Sequence, residues 1–262
     1  MIAPAALRTL TVVVATLLAT LGLTTVADAA TINYVALGDS YSSGVGAGSY
    51  LDSSSCKRSA KAYPELYANA TGASLTFQAC SGAKTSDVLN KQVGALSSGT
   101  TLVSITVGGN DAGFSSVMED CITGGDSGCK TAVTKAVDYV HTTLPGLLDN
   151  VYSTIRSKAP SAEVVVLGYP HFYKISGSCS VGLSDTSRGY INGGADALDT
   201  VIEKEAANAG FTFADLRPAF TGHEICSGSA WLHSVTWPVD ESYHPTATGQ
   251  ASGYYPTFKA AL

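Results

Sequence analysis

Four short segments carry the residue types that nucleophilic chemistry needs. Tyr34-Val35-Ala36-Leu37 is an apolar, strand-like run ending in the turn Gly38-Asp39-Ser40, which leaves a serine at the strand's C-terminal end. In open α/β sheets that end is where ligands bind, and a serine there becomes a nucleophile once a base reaches its hydroxyl. The base is His244, far downstream in Glu241-Ser242-Tyr243-His244-Pro245. Cys80-Ser81-Gly82-Ala83 and Gly108-Gly109-Asn110-Asp111 each follow another strand-like run. Glycine at 82 lets backbone approach a substrate closely, and Asn110 offers two amide N–H donors in a fixed plane. A hydroxyl, a base and donors for a developing oxyanion are what attack on an ester carbonyl requires. The donors would be the backbone N–H of Ser40, the backbone N–H of Gly82 and the Asn110 side-chain amide.

The chain contains an internal control. Gly125-Asp126-Ser127 repeats the tripeptide, but between Cys121 and Cys129 and with no strand before it. It reads as a surface turn, and Ser127 is not the nucleophile. Taken singly, each block has a plainer reading: Asp39 or Ser40 as a helix cap, Gly108–Asp111 as a tight turn, His244 as a helix-entry residue before Pro245. The joint occurrence favours chemistry. His141, His171, His223 and His233 lie in no comparable motif and read as structural, although Tyr169-Pro170-His171 follows a strand and could line a cleft.

The positioning elements are legible from patterning. Strand-like runs at Ile32–Leu37, Leu75–Gln78, Leu102–Val107, Glu163–Leu167 and Phe211–Phe213 alternate with helix-capable segments, the signature of a parallel sheet covered by helices on both faces. Thr131–Lys158 has helical spacing, with Pro145 expected to start a second helix or kink the first. Thr186–Asn208 is expected to be a helix stopped at Gly210, and Thr246–Leu262 a helix interrupted near Pro256. Gly-, Ser- and Asp-rich stretches at Gly44–Lys57, Gly113–Lys130 and Ser176–Ser187 are expected as rim loops that select substrate. Tyr50, Phe114, Phe172 and Trp237 lie near those rims.

Arg8 precedes an apolar run from Leu10 to Leu23, and Ala27-Asp28-Ala29 offers small residues for cleavage. Residues 1–29 are therefore expected to be a secretory signal, with the mature domain spanning 30–262. No later stretch is apolar and long enough to span a bilayer. At 262 residues and 45% hydrophobic content the chain can bury one full core. A net charge of −6 with no basic run disfavours nucleic acid as a partner. Six cysteines in an exported chain form an even set compatible with three disulfides. Proximity pairs Cys121 with Cys129, and no spacing suits zinc.

In this order, the Gly-Asp-Ser, Gly82, Asn110 and His244 blocks resemble the SGNH (GDSL-type) hydrolase family, over nearly the whole mature chain. The resemblance implies a three-layer α/β/α fold with a central, mostly parallel five-stranded sheet, flavodoxin-like. It implies a secreted, monomeric serine esterase or lipase that needs no cofactor or metal. Its substrates would be acylglycerols, or phospholipids at the A1 position. The secreted actinobacterial lipases of the family further imply the pairs Cys56–Cys80 and Cys179–Cys226. One position departs from the pattern: where many members carry an aspartate three residues before the histidine, this chain has Glu241, with Asp240 beside it. Glu241, Asp240 or a backbone carbonyl could orient His244, and likeness to Streptomyces-type members favours the carbonyl of Ser242. The alternatives are a carbohydrate acetylesterase of the same family and a non-enzymatic secreted binding module. No Gly-x-Ser-x-Gly elbow is present, which disfavours an α/β-hydrolase.

Overall fold

Five strands form one sheet in the order β2-β1-β3-β4-β5, and every neighbouring pair is parallel. The structure is a computed structural model that describes Met1, residues 31–177, Cys179 and residues 182–262. The expected signal segment thus lies, apart from Met1, outside the described residues. In chain order the elements are β1 (Asn33–Gly38), α1 (Ser40–Ser43), α2 (Tyr63–Thr71), β2 (Ser74–Phe77), α3 (Thr85–Asp87), β3 (Leu102–Thr106) and α4 (Phe114–Thr142). They continue with α5 (Leu144–Lys158), β4 (Glu163–Leu167), α6 (Asp185–Asn208), β5 (Thr212–Ala214), α7 (Arg217–Phe220) and α8 (Tyr255–Ala260). The sheet is wholly rather than mostly parallel, in the order of the flavodoxin-like doubly wound folds.

The three inner strands are apolar on both faces because helices cover both. β3 is buried throughout, and β1 and β4 are buried beyond their first residues. The edge strands β2 and β5 keep exposed positions. Helices α4, α5 and α6 pack on one another, and α2 packs on α8. The α2/α8 side is aromatic: Phe258 meets Tyr34, Tyr63 and Tyr67 at ring-centroid distances of 5.7, 5.3 and 5.1 Å.

The α4–α5 boundary falls at Thr143, and Pro145 sits in the first turn of α5, where its missing N–H costs nothing. α6 starts on Ser184, whose side chain accepts the Ser187 N–H, and the chain turns at Gly210 with φ +69°. Gly249–Tyr254 winds as a wide π-type helix before α8, with Pro256 in the first turn of α8.

One expected loop is a helix. Gly113–Lys130 is not a rim loop; from Phe114 onward it is the first half of α4. Phe114, Val117, Met118 and Cys121 recur at helical spacing, a pattern masked by the glycines and serines between them. Gly125, at φ 59° and ψ −163°, interrupts the helix, and the Cys121–Cys129 disulfide spans that interruption. The other bridges are Cys56–Cys80 and Cys179–Cys226, and no cysteine is free. Among the described residues, no helix is long and apolar enough to cross a membrane.

Candidate active site

The turn after β1 is built to hold Ser40 still. Gly38 has φ +119°, and a Cβ there would lie 2.4 Å from the Thr106 carbonyl oxygen, so only glycine fits between β1 and β3. Gln92 clamps the same residue from the side: the Gly38 N–H donates to Gln92 Oε1 at 2.7 Å, and Gln92 Nε2 donates to the Gly38 carbonyl at 2.9 Å. Asp39 caps α1 by accepting the Tyr41 N–H at 2.9 Å. On the other flank, Gln250 Nε2 donates to the Tyr41 carbonyl.

His244 meets this turn from the far end of the chain. Its Nε2 lies 2.7 Å from Ser40 Oγ, and its Nδ1 lies 3.0 Å from the Ser242 carbonyl. A carbonyl can only accept, so Nδ1 carries the proton and Nε2 is free to accept the serine hydroxyl. Burial depresses the imidazole from its ordinary 6.5 to about 4, against the opposing pull of the Ser242 carbonyl. The ring is therefore neutral at neutral pH, the state a general base requires.

Neither nearby carboxylate is on the ring. Glu241 accepts the Tyr50 hydroxyl at 2.7 Å, and Tyr50 in turn accepts the Gly46 N–H at 3.0 Å. Asp240 pairs with Lys57 Nζ at 2.6 Å. Tyr243 holds a left-handed φ of +66°, and its carbonyl accepts the Tyr41 hydroxyl at 2.7 Å. This ties the histidine segment directly to the Ser40 turn.

The three oxyanion candidates, Ser40, Gly82 and Asn110, line one cleft with His244. Asn110 Nδ2 donates to the Ala83 carbonyl at 3.0 Å, so one amide hydrogen fixes the plane of the other and links this loop to the Gly82 loop. Gly82 has φ +75°, and a Cβ there would touch no protein atom within 4 Å. The left-handed backbone, rather than crowding by the protein, makes glycine the suitable residue.

A buried network that sequence reasoning missed joins the two sides. Tyr169 donates to Asp39 Oδ2 at 2.5 Å and accepts the Gly109 N–H at 3.0 Å. One phenol thus connects the residue before Ser40 to the residue before Asn110. Burial pushes the Asp39 carboxyl up from 3.8 to about 7, partly offset by the bonds from Tyr169 and Tyr41. The readable signal was position: Tyr169 follows the C-terminal end of β4. Gln92 and Gln250 left no signal at all.

The cleft has a volume of about 700 Å³ and runs from Ser40 between α4 and α6, past Met118, Val133, Val137, Ile191 and Leu198. Phe114 and Phe172 stack at 4.8 Å and line it too. Tyr50 and Trp237 do not, and neither does any residue of Gly44–Lys57 or any described residue of Ser176–Ser187. The walls that would select substrate are therefore helix faces and the segment around Val235–His244; of the three stretches expected as rim loops only Gly113–Lys130 contributes, as the first half of α4 rather than as a loop. Nor does His171 line the cleft; its Nε2 lies 2.9 Å from Asp196. His233 Nε2 bonds the Gly46 carbonyl, and His223 stacks on Trp231 at 3.6 Å.

A hydroxyl beside a neutral imidazole, with N–H donors across an apolar cleft on a doubly wound sheet, defines a hydrolase of carboxylic esters. Residues 36–251 match the model of the GDSL-like Lipase/Acylhydrolase family. The chain belongs to that family. It is 59% identical over 231 residues to a lipase of Streptomyces rimosus, covering 87% of this chain and 86% of that one. The crystal structure of an extracellular lipase from S. rimosus superposes with a TM-score of 0.86 at 58% identity, over 89% of this chain and all of that one. The structure of phospholipase A1 from Streptomyces albidoflavus NA297 gives a TM-score of 0.86 at 57% identity with the same coverage. The protein is a carboxylic-ester hydrolase.

Proposed function

We infer that the mature chain is an exported, monomeric serine hydrolase that cleaves long-chain acyl esters, acylglycerols or phospholipids, through an acyl-Ser40 intermediate. The observation that carries this reading is the 2.7 Å approach of His244 Nε2 to Ser40 Oγ at the head of an apolar cleft of about 700 Å³. As Ser40 Oγ attacks the carbonyl carbon, its proton passes to Nε2. The carbonyl oxygen gathers charge against the N–H groups of Ser40, Gly82 and Asn110. Collapse breaks the ester C–O bond, and the imidazolium returns the proton to the departing alkoxide. Water then repeats the sequence on the acyl-enzyme, with His244 again as base. The Ser242 carbonyl holds the tautomer throughout, so the base works without a carboxylate partner.

The volume and apolar lining of the cleft favour an acyl chain over an acetyl group on a sugar. Three disulfides and likeness to an enzyme described as extracellular support export, with residues 1–29 as the removed leader. A p-nitrophenyl ester series tests the acyl assignment: activity should persist at octanoate and beyond. Collapse after butyrate would make the protein an acetylesterase. Failure of a serine-directed organophosphate to label it stoichiometrically would remove the hydrolytic reading.

A further inference from the structure

The excursion that delivers His244 also carries the most exposed apolar side chains around the cleft. Its base is closed by backbone bonds from His233 N to the His244 carbonyl and from Tyr243 N to the His233 carbonyl. Part-way up, the Thr236 N–H donates to Ser242 Oγ at 3.0 Å. Above its base the excursion presents Val235, Trp237 and Val239, which are 65%, 86% and 61% exposed. Across the mouth, Ile122 of α4 is 53% exposed. Val235, Val239 and Ile122 also line the cleft, so the outer patch and the inner apolar wall are one continuous surface. A tripod of large apolar residues on an anchored tip is uncommon on a protein surface and marks an interaction site.

We propose that this tip, with Ile122 opposite, is the surface by which the enzyme seats itself on a zwitterionic lipid–water interface, the cleft mouth facing the lipid. The proposal deepens the acyl-lipid reading and rests on it. Two features choose the occupant. A protein partner covering the patch would close the cleft mouth, whereas a lipid surface would deliver an acyl chain straight into it. The charged side chains lining the outer cleft are Asp240, which pairs with Lys57, and Glu119, which has no cationic partner among the described residues. That balance is acidic, and it repels anionic headgroups while leaving apolar insertion to supply the binding. A tryptophan at the tip suits the headgroup region, where its ring is apolar and its N–H remains wet.

The test uses the mature full-length protein and vesicles of ether-linked phosphatidylcholine, which contain no ester to hydrolyse. The wild type should cosediment with them, and Trp237→Ala should weaken partitioning by about tenfold or more. Hydrolysis of dissolved p-nitrophenyl butyrate by Trp237→Ala should stay within twofold of wild type, because Trp237 lies outside the cleft. Tryptophan emission should shift to the blue on vesicle addition, and Trp237→Phe should abolish the shift while leaving Trp231 as an internal control. Absence of wild-type binding, unchanged partitioning of Trp237→Ala, or a shift that survives in Trp237→Phe would each overturn the proposal. So would markedly tighter binding when phosphatidylglycerol is mixed in, since charge would then be the driving force. If the underlying esterase reading fails instead, the dissolved ester is not cleaved by wild type at all, a result separate from the vesicle measurements.

Discussion

The molecule contains the tripeptide Gly-Asp-Ser twice, and the two copies have almost nothing else in common. At 38–40 the glycine is wedged against β3, and the aspartate is buried under Tyr169 with its carboxyl pushed up to about 7. The serine there faces His244. At 125–127 the glycine interrupts α4 in open space, where a Cβ would meet no atom within 4 Å. Its aspartate is exposed, accepts the hydroxyls of Ser184 and Ser187, and has its carboxyl held below the usual range. Ser127 is exposed, and its backbone carbonyl accepts the Thr131 hydroxyl. Identical residues thus titrate in opposite directions, because one carboxylate lost its water and the other gained two donors. What distinguishes the two turns is supplied by residues far away in the chain.

The sharpest way to break this contrast is to remove each hydroxyl. Ser40→Ala should lower turnover by on the order of a millionfold in a folded protein, whereas Ser127→Ala should match wild type on the same ester. Substantial activity in Ser40→Ala would sink the assignment.

Only the first copy shares a cleft with a side-chain amide, that of Asn110. Asn110→Ala should reduce kcat by about a hundred- to a thousandfold with a smaller change in KM, because the bond strengthens as the oxyanion forms. A change confined to KM would place Asn110 in ground-state binding.

The aspartates should separate by the pH dependence of stability. Folded Asp39 keeps its proton up to about 7 while the unfolded residue ionises near 3.8. Its contribution is therefore complete below 3.8 and is lost as pH rises through about 7. His244, with a folded value near 4 against 6.5, acts oppositely: its contribution is complete above 6.5 and is lost as pH falls through about 4. Asp39→Asn should remove the first slope and leave the second, so that urea stability climbs more steeply from pH 4 to 7 than in wild type. The difference should be on the order of a few kcal/mol. Asp126→Asn should leave that window unchanged, because its lowered value acts only at more acid pH. Parallel curves for wild type and Asp39→Asn would mean that Asp39 is ionised throughout.

The smallest effect concerns the base. With Nδ1 on the Ser242 carbonyl, Glu241→Gln and Asp240→Asn should each keep kcat within about tenfold, whereas losing a true triad carboxylate can cost about ten-thousandfold. A collapse of that size in either variant would identify the missing acid.

Patterning made the strands readable, since β1 and β4 carry unbroken apolar runs and β3 one interrupted by Ser104, and it marked helix ends through Pro145, Gly210 and Pro256. The first half of α4 escaped because Gly124, Gly125 and Gly128 look like loop composition, whereas the buried Met118 and Cys121 keep it packed. The Ser40, Gly82 and Asn110 blocks could be read because each ends or follows a strand, and the sheet's geometry brings strand ends to one edge; the His244 block follows no strand and was legible only as the fourth block of the set. Sequence alone left three candidates for the group beside His244 Nδ1. The choice depended on where Tyr50 and Lys57 lie, because each draws one carboxylate away from the ring. The same holds for Tyr169, Gln92 and Gln250, whose partners lie between 54 and 209 residues away, and for the cleft between α4 and α6. Local propensity and periodicity are written into neighbouring residues and survive in the sequence. A hydrogen bond or a cavity wall between distant residues exists only once the chain has closed on itself.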